Sequence, residues 1–304
     1  MPSMVSANRF INLFVLPLVI VAYGVFLWID HNAHNNPFWY HEIKVHMQNV
    51  KNIGGVDGLV FGGSNAVYSL SAQSLSYFTG VKWYNASVRG ELYDIKRNKN
   101  FIKAFSARID RTKVRYVVYS SLSPYEIGQI AALKSDNSDG LEGIKPKESV
   151  LQYIEHRNWP DGNMNPQRNG YGDLVFDDRV KCKPGATTHV REDIDIAVDF
   201  LVDMAIFFTS VFPYASIQIV LPSDYYGLSF DDSIFEQTLR KKFYGFLPEK
   251  YLTNSMVKII FQPPYPSIAQ VCHGAHANAE GRLWRTRNLV ESMFDTPQQQ
   301  ISIR

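Results

Sequence analysis

The stretch "VFGGSNAVYSLSAQSL" (residues 60–75) passes from a short apolar run through two glycines, a serine and an asparagine into helix-like sequence. A strand that ends in glycine and turns at once into a helix is the opening unit of an alternating α/β fold. In such a sheet the residue just past the strand stands at the carboxyl edge, where ligands bind. Ser64 occupies that place. It is either a nucleophile or the serine of a tight Gly-Gly-Ser turn, and the rest of the chain has to decide between the two.

The same rhythm continues outward. "GLVFGG" reads as a strand, and "SAQSLSYFTG" as a short helix from a Ser71 cap to a stop at Gly80. "VKWYNAS" is a second strand, "ELYDIKRNKNFIKAFSARI" has helical apolar spacing, and the β-branched and aromatic "VRYVVYSS" is a third strand. Later come the helix "VREDIDIAVDFLVDMAIFFTSVF", the strand "ASIQIVLP", a helix over 231–246 and the strand "MVKIIFQ". The closing helix is "NAEGRLWRTRNLVESMF", with Leu283, Leu289, Val290 and Met293 expected on its inner face. Short apolar strands alternating with helices predict an α/β fold, a doubly wound five-stranded parallel sheet covered on both sides. The rhythm fails over about 122–190, which is rich in Gly, Asn, Asp and Pro and too long for a simple connection; this irregular insertion is expected to be either a functional cap or partly mobile.

Ahead of this domain, "FINLFVLPLVIVAYGVFLWI" (10–29) holds twenty residues without a charge, enough at helical rise to span roughly 30 Å. It exceeds the roughly 7–15 residues of a signal-peptide apolar region, and no A-x-A site follows. The expectation is one uncleaved N-terminal transmembrane helix. Arg9 precedes it, which places residues 1–9 in the cytoplasm. Residues 30–55 then form a polar linker with a short helix, and 56–304 form the α/β domain on the extracytoplasmic side. In a Gram-negative cell that means a single-pass inner-membrane protein with a periplasmic domain. The charge balance of +2 and the absence of a long basic run speak against nucleic acid as a partner. Cys182 and Cys272 are a disulfide or two thiols, and the sequence leaves both open.

Two further stretches bear on Ser64. "WYNASVRG" ends the second strand with Asn85 and Gly90, whose side-chain amide and backbone N–H are suitable oxyanion donors; for Asn85 the alternative is plain turn formation. "CHGAHANAEGR" places His276 just before the last helix, on the loop after the fifth strand. That loop can return beside the first, where a histidine can take the serine proton as general base.

The order G-G-S-N after strand one, Y-N-x-S-x-x-G after strand two and H-x-N-x-x-G-R before the last helix resembles the SGNH (GDSL-like) hydrolase superfamily. More narrowly it is similar to membrane-anchored bacterial members that decorate cell-surface polysaccharides with acetyl groups. The resemblance covers most of 56–295. It implies a flavodoxin-like five-stranded sheet, Ser64 as nucleophile and His276 as base. It also implies oxyanion or substrate contacts from the Ser64 backbone with Gly63 and Asn65 beside it, from Asn85, and from Gly90. The implied activity is a serine-dependent O-acyltransferase or carbohydrate esterase working through an acyl-serine, without a cofactor. Its substrate would be a cell-surface polysaccharide or exopolysaccharide, and its partner a membrane-embedded acyl donor. Two positions depart from the pattern. His273 stands where the family carries the aspartate that orients the histidine, so it joins Ser64 and His276 as the third candidate catalytic residue. After strand three "YSSLSPYE" has no asparagine, and the Ser121 hydroxyl is the candidate substitute donor. These departures motivate the alternative of a catalytically degenerate scaffold in a polysaccharide-modification complex.

Other chemistries fit less well. Cys182, His189, Cys272, His273 and His276 match no standard zinc spacing, so no metal is expected. No phosphate-binding glycine motif follows a strand. Trp159, Tyr171, Tyr225 and Tyr226 fall in loops where one or two could meet a sugar ring.

Overall fold

The computed structural model describes residues 11–35, 38–90, 95–121, 168–175, 194–222, 233–252, 256–267, 270–273 and 276–294. Five parallel strands form one sheet: β1 (Gly58–Gly62), β2 (Trp83–Asn85), β3 (Tyr116–Ser120), β4 (Ser216–Leu221) and β5 (Val257–Phe261), in the order β2-β1-β3-β4-β5. That is the flavodoxin-like order, with its switch point between β1 and β3. The helices are α1 (Leu16–Asn35), α2 (Phe38–Ile53), α3 (Ser64–Ser69), α4 (Ala72–Thr79), α5 (Ile95–Ser106), α6 (Ile194–Val211), α7 (Ser233–Phe246), α8 (Glu249–Leu252) and α9 (Ala279–Phe294).

Strand alternation divides the core in two. Leu59, Phe61, Val117, Tyr119, Ile217, Ile219 and Ile259 face one side, where they meet Phe101 and Phe105 of α5 and Phe208 of α6. Val60, Val118, Val220 and Ile260 face the other and meet Leu70, Leu75 and, from α9, Leu289 and Met293. Both faces are covered, which is why the strands read as continuous apolar runs rather than alternating ones. The α4 boundaries follow the sequence signals: Ser71 Oγ accepts from Ser74 N at the start, and Gly80, in the left-handed conformation, closes the end.

Several expectations are corrected. The apolar run at 10–29 is divided between two elements. A π-helical turn (Ile11–Val15) precedes α1, and α1 continues past Ile29 into Asp30, His31 and Asn32. Among the described residues no helix is long and apolar enough to cross a membrane. The short helix expected within 30–55 is α2, and it is not set apart from the domain, because its Val50 and Ile53 belong to the main core. On α9, Leu283 is exposed; the buried face carries Arg282, Arg285, Thr286, Leu289 and Met293. The loop after β5 is not plain loop, because β6 (Val271–His273) and β7 (His276–Ala277) pair as an antiparallel hairpin.

Candidate functional site

At the end of β1 the chain turns through Gly62, whose φ is +142°. A Cβ here would lie 1.9 Å from the carbonyl oxygen of Ser120, so only glycine lets β1 and β3 approach this closely. Gly63 then caps α3, and its carbonyl accepts from Ala66 N and Val67 N. Ser64 opens α3 with a half-buried side chain, while every other residue of 58–69 is buried. The next residue, Asn65, is fully buried and donates from Nδ2 to the Ser121 carbonyl at 3.0 Å, tying the Ser64 turn to the end of β3. Ser121 is buried as well, and its Oγ has no hydrogen-bond partner among the described residues.

His276 begins β7, half-buried, and α3 packs against this strand. Its imidazole stacks on the ring of Tyr68, with centroids 4.2 Å apart and planes 27° from parallel. Tyr68 is four residues after Ser64, on the same face of α3. His276 is thereby set against the helix that Ser64 begins. His273 pairs with His276 across the hairpin through the backbone; its side chain, and that of Cys272, lie outside the described positions, as do Cys182, His189, Trp159, Tyr225 and Tyr226. Among the described residues no group of acidic, histidine or cysteine side chains is arranged to hold a metal.

The rest of the H-x-N-x-x-G-R stretch has a structural role at each position. Asn278 caps α9 by accepting from Gly281 N at 3.0 Å. Gly281 leaves room for the Gln270 carbonyl, which a Cβ would approach to 2.2 Å. Arg282 donates from Nε to Tyr68 O, from Nη2 to Val67 O and from Nη1 to Leu174 O. A buried guanidinium thus satisfies the last carbonyls of α3 and complements the negative end of that helix. Desolvation brings its pKa down to about 10.

Asn85 is placed differently from an open donor. Its Nδ2 donates to Leu70 O at 3.2 Å and to Asp173 Oδ1 at 3.3 Å, and its Oδ1 accepts from Ser87 N. Both amide protons are directed into the protein, so here Asn85 knits β2 to its neighbours. Gly90 lies at the end of the same loop with φ +69°, partly exposed.

Sequence reasoning missed two groups that frame the site. Asp173, buried, accepts from Ala72 N, Gln73 N and Ser71 Oγ, a carboxylate set on the N-terminus of α4. Nothing in the irregular 122–190 region marks it. The second group lies under the 85–90 loop. Glu42 of α2 accepts from the backbone N and from Nε of Arg89, and from Arg168 Nη2 at 3.1 Å. Burial alone would push the Glu42 carboxyl up; the two guanidiniums and the Arg89 hydrogen bonds outweigh this and hold it below the ordinary carboxylate value. One turn on, His46 donates from Nε2 to Ser87 O at 3.0 Å and accepts at Nδ1 from the Tyr84 hydroxyl at 3.1 Å. A carbonyl can only accept, so this ring is the neutral Nε2–H tautomer. Burial first, then the nearby Arg168 cation, hold its pKa well below the ordinary range. Burial likewise pushes the Tyr84 phenol up to about 12. The helical spacing of Glu42, His46, Val50 and Ile53 was the signal for this face.

No protein-family model matches the chain, and no curated protein matches it. Among solved structures, the chain is similar to an acetyl xylan esterase (Est2A) from the rumen bacterium Butyrivibrio proteoclasticus. The identity is 11% and the TM-score 0.41, over 79% of this chain and 63% of that one. The chain therefore spans less than two thirds of that protein's length.

Proposed function

We propose that the protein is a serine-dependent carbohydrate esterase or O-acyltransferase of the SGNH type, acting on an acylated extracytoplasmic polysaccharide. The observation that carries this reading is the stack of His276 on Tyr68, which sets a histidine against the helix whose first residue is the half-buried Ser64. The step is addition of Ser64 Oγ to the acyl carbon of the donor while the hydroxyl proton passes to His276. Collapse of the adduct expels the donor alcohol, which takes that proton, and leaves an acyl-serine. A sugar hydroxyl or water then attacks, loses its proton through His276 and carries off the acyl group, and Ser64 Oγ is reprotonated. The oxyanion donors of this reading are the Ser64 backbone, Gly90 and the Ser121 hydroxyl, which is buried and has no partner among the described residues.

Membrane placement belongs to the same proposal. Leu13, Phe14, Leu16, Leu18, Ile20 and Val21 are exposed, an apolar surface that a lipid interface or an apolar membrane partner would cover. Such a partner would supply the acyl group on the extracytoplasmic side.

One observation favours a second reading, a non-catalytic scaffold: the Asn85 amide is directed wholly into Leu70 and Asp173. A fluorophosphonate probe on the full chain separates the two. Stoichiometric labelling that disappears in Ser64→Ala and in His276→Gln supports the enzyme. Absence of labelling across the pH range, with polysaccharide acetyl content unchanged in cells carrying Ser64→Ala, sinks it.

A further inference from the structure

A histidine that begins a two-residue strand, as His276 does, needs its ring held if it is to act as a base, and the position where the resemblance expects an acid carries His273. Tyr68 is built for that. Its hydroxyl accepts from Arg89 Nη1 at 3.3 Å, its carbonyl accepts from Arg282 Nε at 3.1 Å, and its side chain is almost fully buried. Arg89 is itself fixed by buried Glu42 through both backbone and side chain. The phenol ring is therefore a platform held at both ends, and the imidazole lies flat on it.

We propose that Tyr68 is the positioning residue for His276: its pinned ring sets the plane of the imidazole and stabilises the imidazolium, the part a carboxylate would otherwise play. The proposal rests on the reading of Ser64 and His276 as nucleophile and base. The physical basis is twofold. A ring stacked on a fixed surface loses rotational freedom, and the electron-rich face of a phenol attracts a cation lying over it. A general base must accept a proton in the transition state, so a contact that stabilises imidazolium helps the reaction at any pH where the resting ring is neutral. The other titratable or charged residues on elements around His276 are Glu280, Arg282, Arg285, Arg287 and Glu291 of α9, Cys272 and His273 of β6, and Tyr265, which packs on Ala277; Ser64 and Tyr68 come from α3. Among the described contacts, the Tyr68 ring stacks on it.

The test uses the full chain in detergent with Tyr68→Leu and the more conservative Tyr68→Phe, each checked by thermal melting. Two readouts are followed: the pH dependence of fluorophosphonate labelling at Ser64, and the titration of the His276 ring by NMR. Tyr68→Leu is expected to lower the His276 pKa by about half to one unit, moving the acid limb of labelling to lower pH by the same amount. Its maximal labelling rate should fall by about tenfold or more. Tyr68→Phe keeps the ring face and loses the Arg89 contact, so its titration stays near wild type while its rate drops a few-fold. A folded Tyr68→Leu protein with unchanged titration and unchanged labelling profile overturns the proposal. If His276 titration moves with Tyr68 but wild-type Ser64 never labels, the platform stands and the acyl-serine reading falls.

Discussion

Arg282 Nε donates to the carbonyl oxygen of Tyr68 at 3.1 Å, and through this bond the last helix holds the far end of the helix that Ser64 begins. Two parts of the chain more than two hundred residues apart are joined by one side chain that also reaches Val67 and Leu174. Replacing Arg282 with Gln would leave up to three buried carbonyls short of a donor. At the cost usual for hydrogen bonds to charged groups, the loss should be about 2–4 kcal/mol, measured by urea denaturation. Arg282→Lys should recover only part of it, because an ammonium cannot fork to acceptors fixed for a guanidinium. A loss under about 1 kcal/mol would show that the carbonyls find other partners.

Asp173 performs a comparable service at the start of α4, where its two oxygens collect Ala72 N, Gln73 N and the Ser71 hydroxyl. Asp173→Asn replaces one acceptor with a donor facing donors and removes the charge at the helix N-terminus. A destabilisation of about 1–2 kcal/mol is expected by chemical denaturation. Since Asp173 also receives Asn85 Nδ2, the 85–90 loop should loosen, and amide exchange at Ser87 should speed up relative to the β3 amides. Unchanged exchange at Ser87 would mean that Leu70 alone fixes Asn85.

The contrast between these two residues shows what was legible in the sequence. Arg282 sits in a motif, so its position was visible, but its task was not: nothing local says that a guanidinium on the last helix will find the carbonyls of residues 67 and 68. Asp173 had no signal at all, because its partners are set by a loop folding back over α4. The sheet was legible because each strand is an apolar run buried on both faces and bounded by Gly, Pro or polar residues, and such runs have few alternatives. The π-turn before Leu16 and the polar tail of α1 escaped a reading that counted apolar residues without asking where the helix starts. The short helix in 30–55 was legible but its docking was not, because the inward face of α2 carries Glu42 and His46, polar residues that a hydrophobic count treats as surface. The Ser64 turn was read from Gly-Gly-Ser, whereas Tyr68, the residue in contact with His276, looked like ordinary helix filling.

Gly62 is the point at which local geometry and site position meet. Its φ of +142° and the 1.9 Å approach of the Ser120 carbonyl leave no place for a side chain. Gly62→Ala combines backbone strain with overlap and should cost at least about 3 kcal/mol. The variant is expected to show a lowered melting temperature and a shifted Ser64 turn, read as loss of the Asn65 Nδ2 contact to Ser121 in amide NMR. Near-wild-type stability would mean that β1 and β3 can part at this end without cost.

His46 gives the protein an acid-sensitive interior. Its pKa in the folded state lies well below the ordinary 6.5, so the unfolded chain binds a proton that the folded chain refuses. Stability from this group is complete above about pH 6.5 and falls as the pH drops below it, by up to about 1.4 kcal/mol per unit until the folded value is reached. Glu42 acts in a lower window. Its folded pKa is depressed below 4.5, so its contribution is present above that value and is lost as the pH falls through the folded one. His46→Gln keeps a donor toward Ser87 O and an acceptor toward the Tyr84 hydroxyl while removing the titration. Melting temperatures measured between pH 7.5 and about pH 5 should therefore fall less steeply in His46→Gln than in wild type, with the two curves steepening together below about pH 4.5. Parallel curves from neutral pH to pH 5 would show that His46 accepts its proton in the folded state, against the geometry of its two hydrogen bonds.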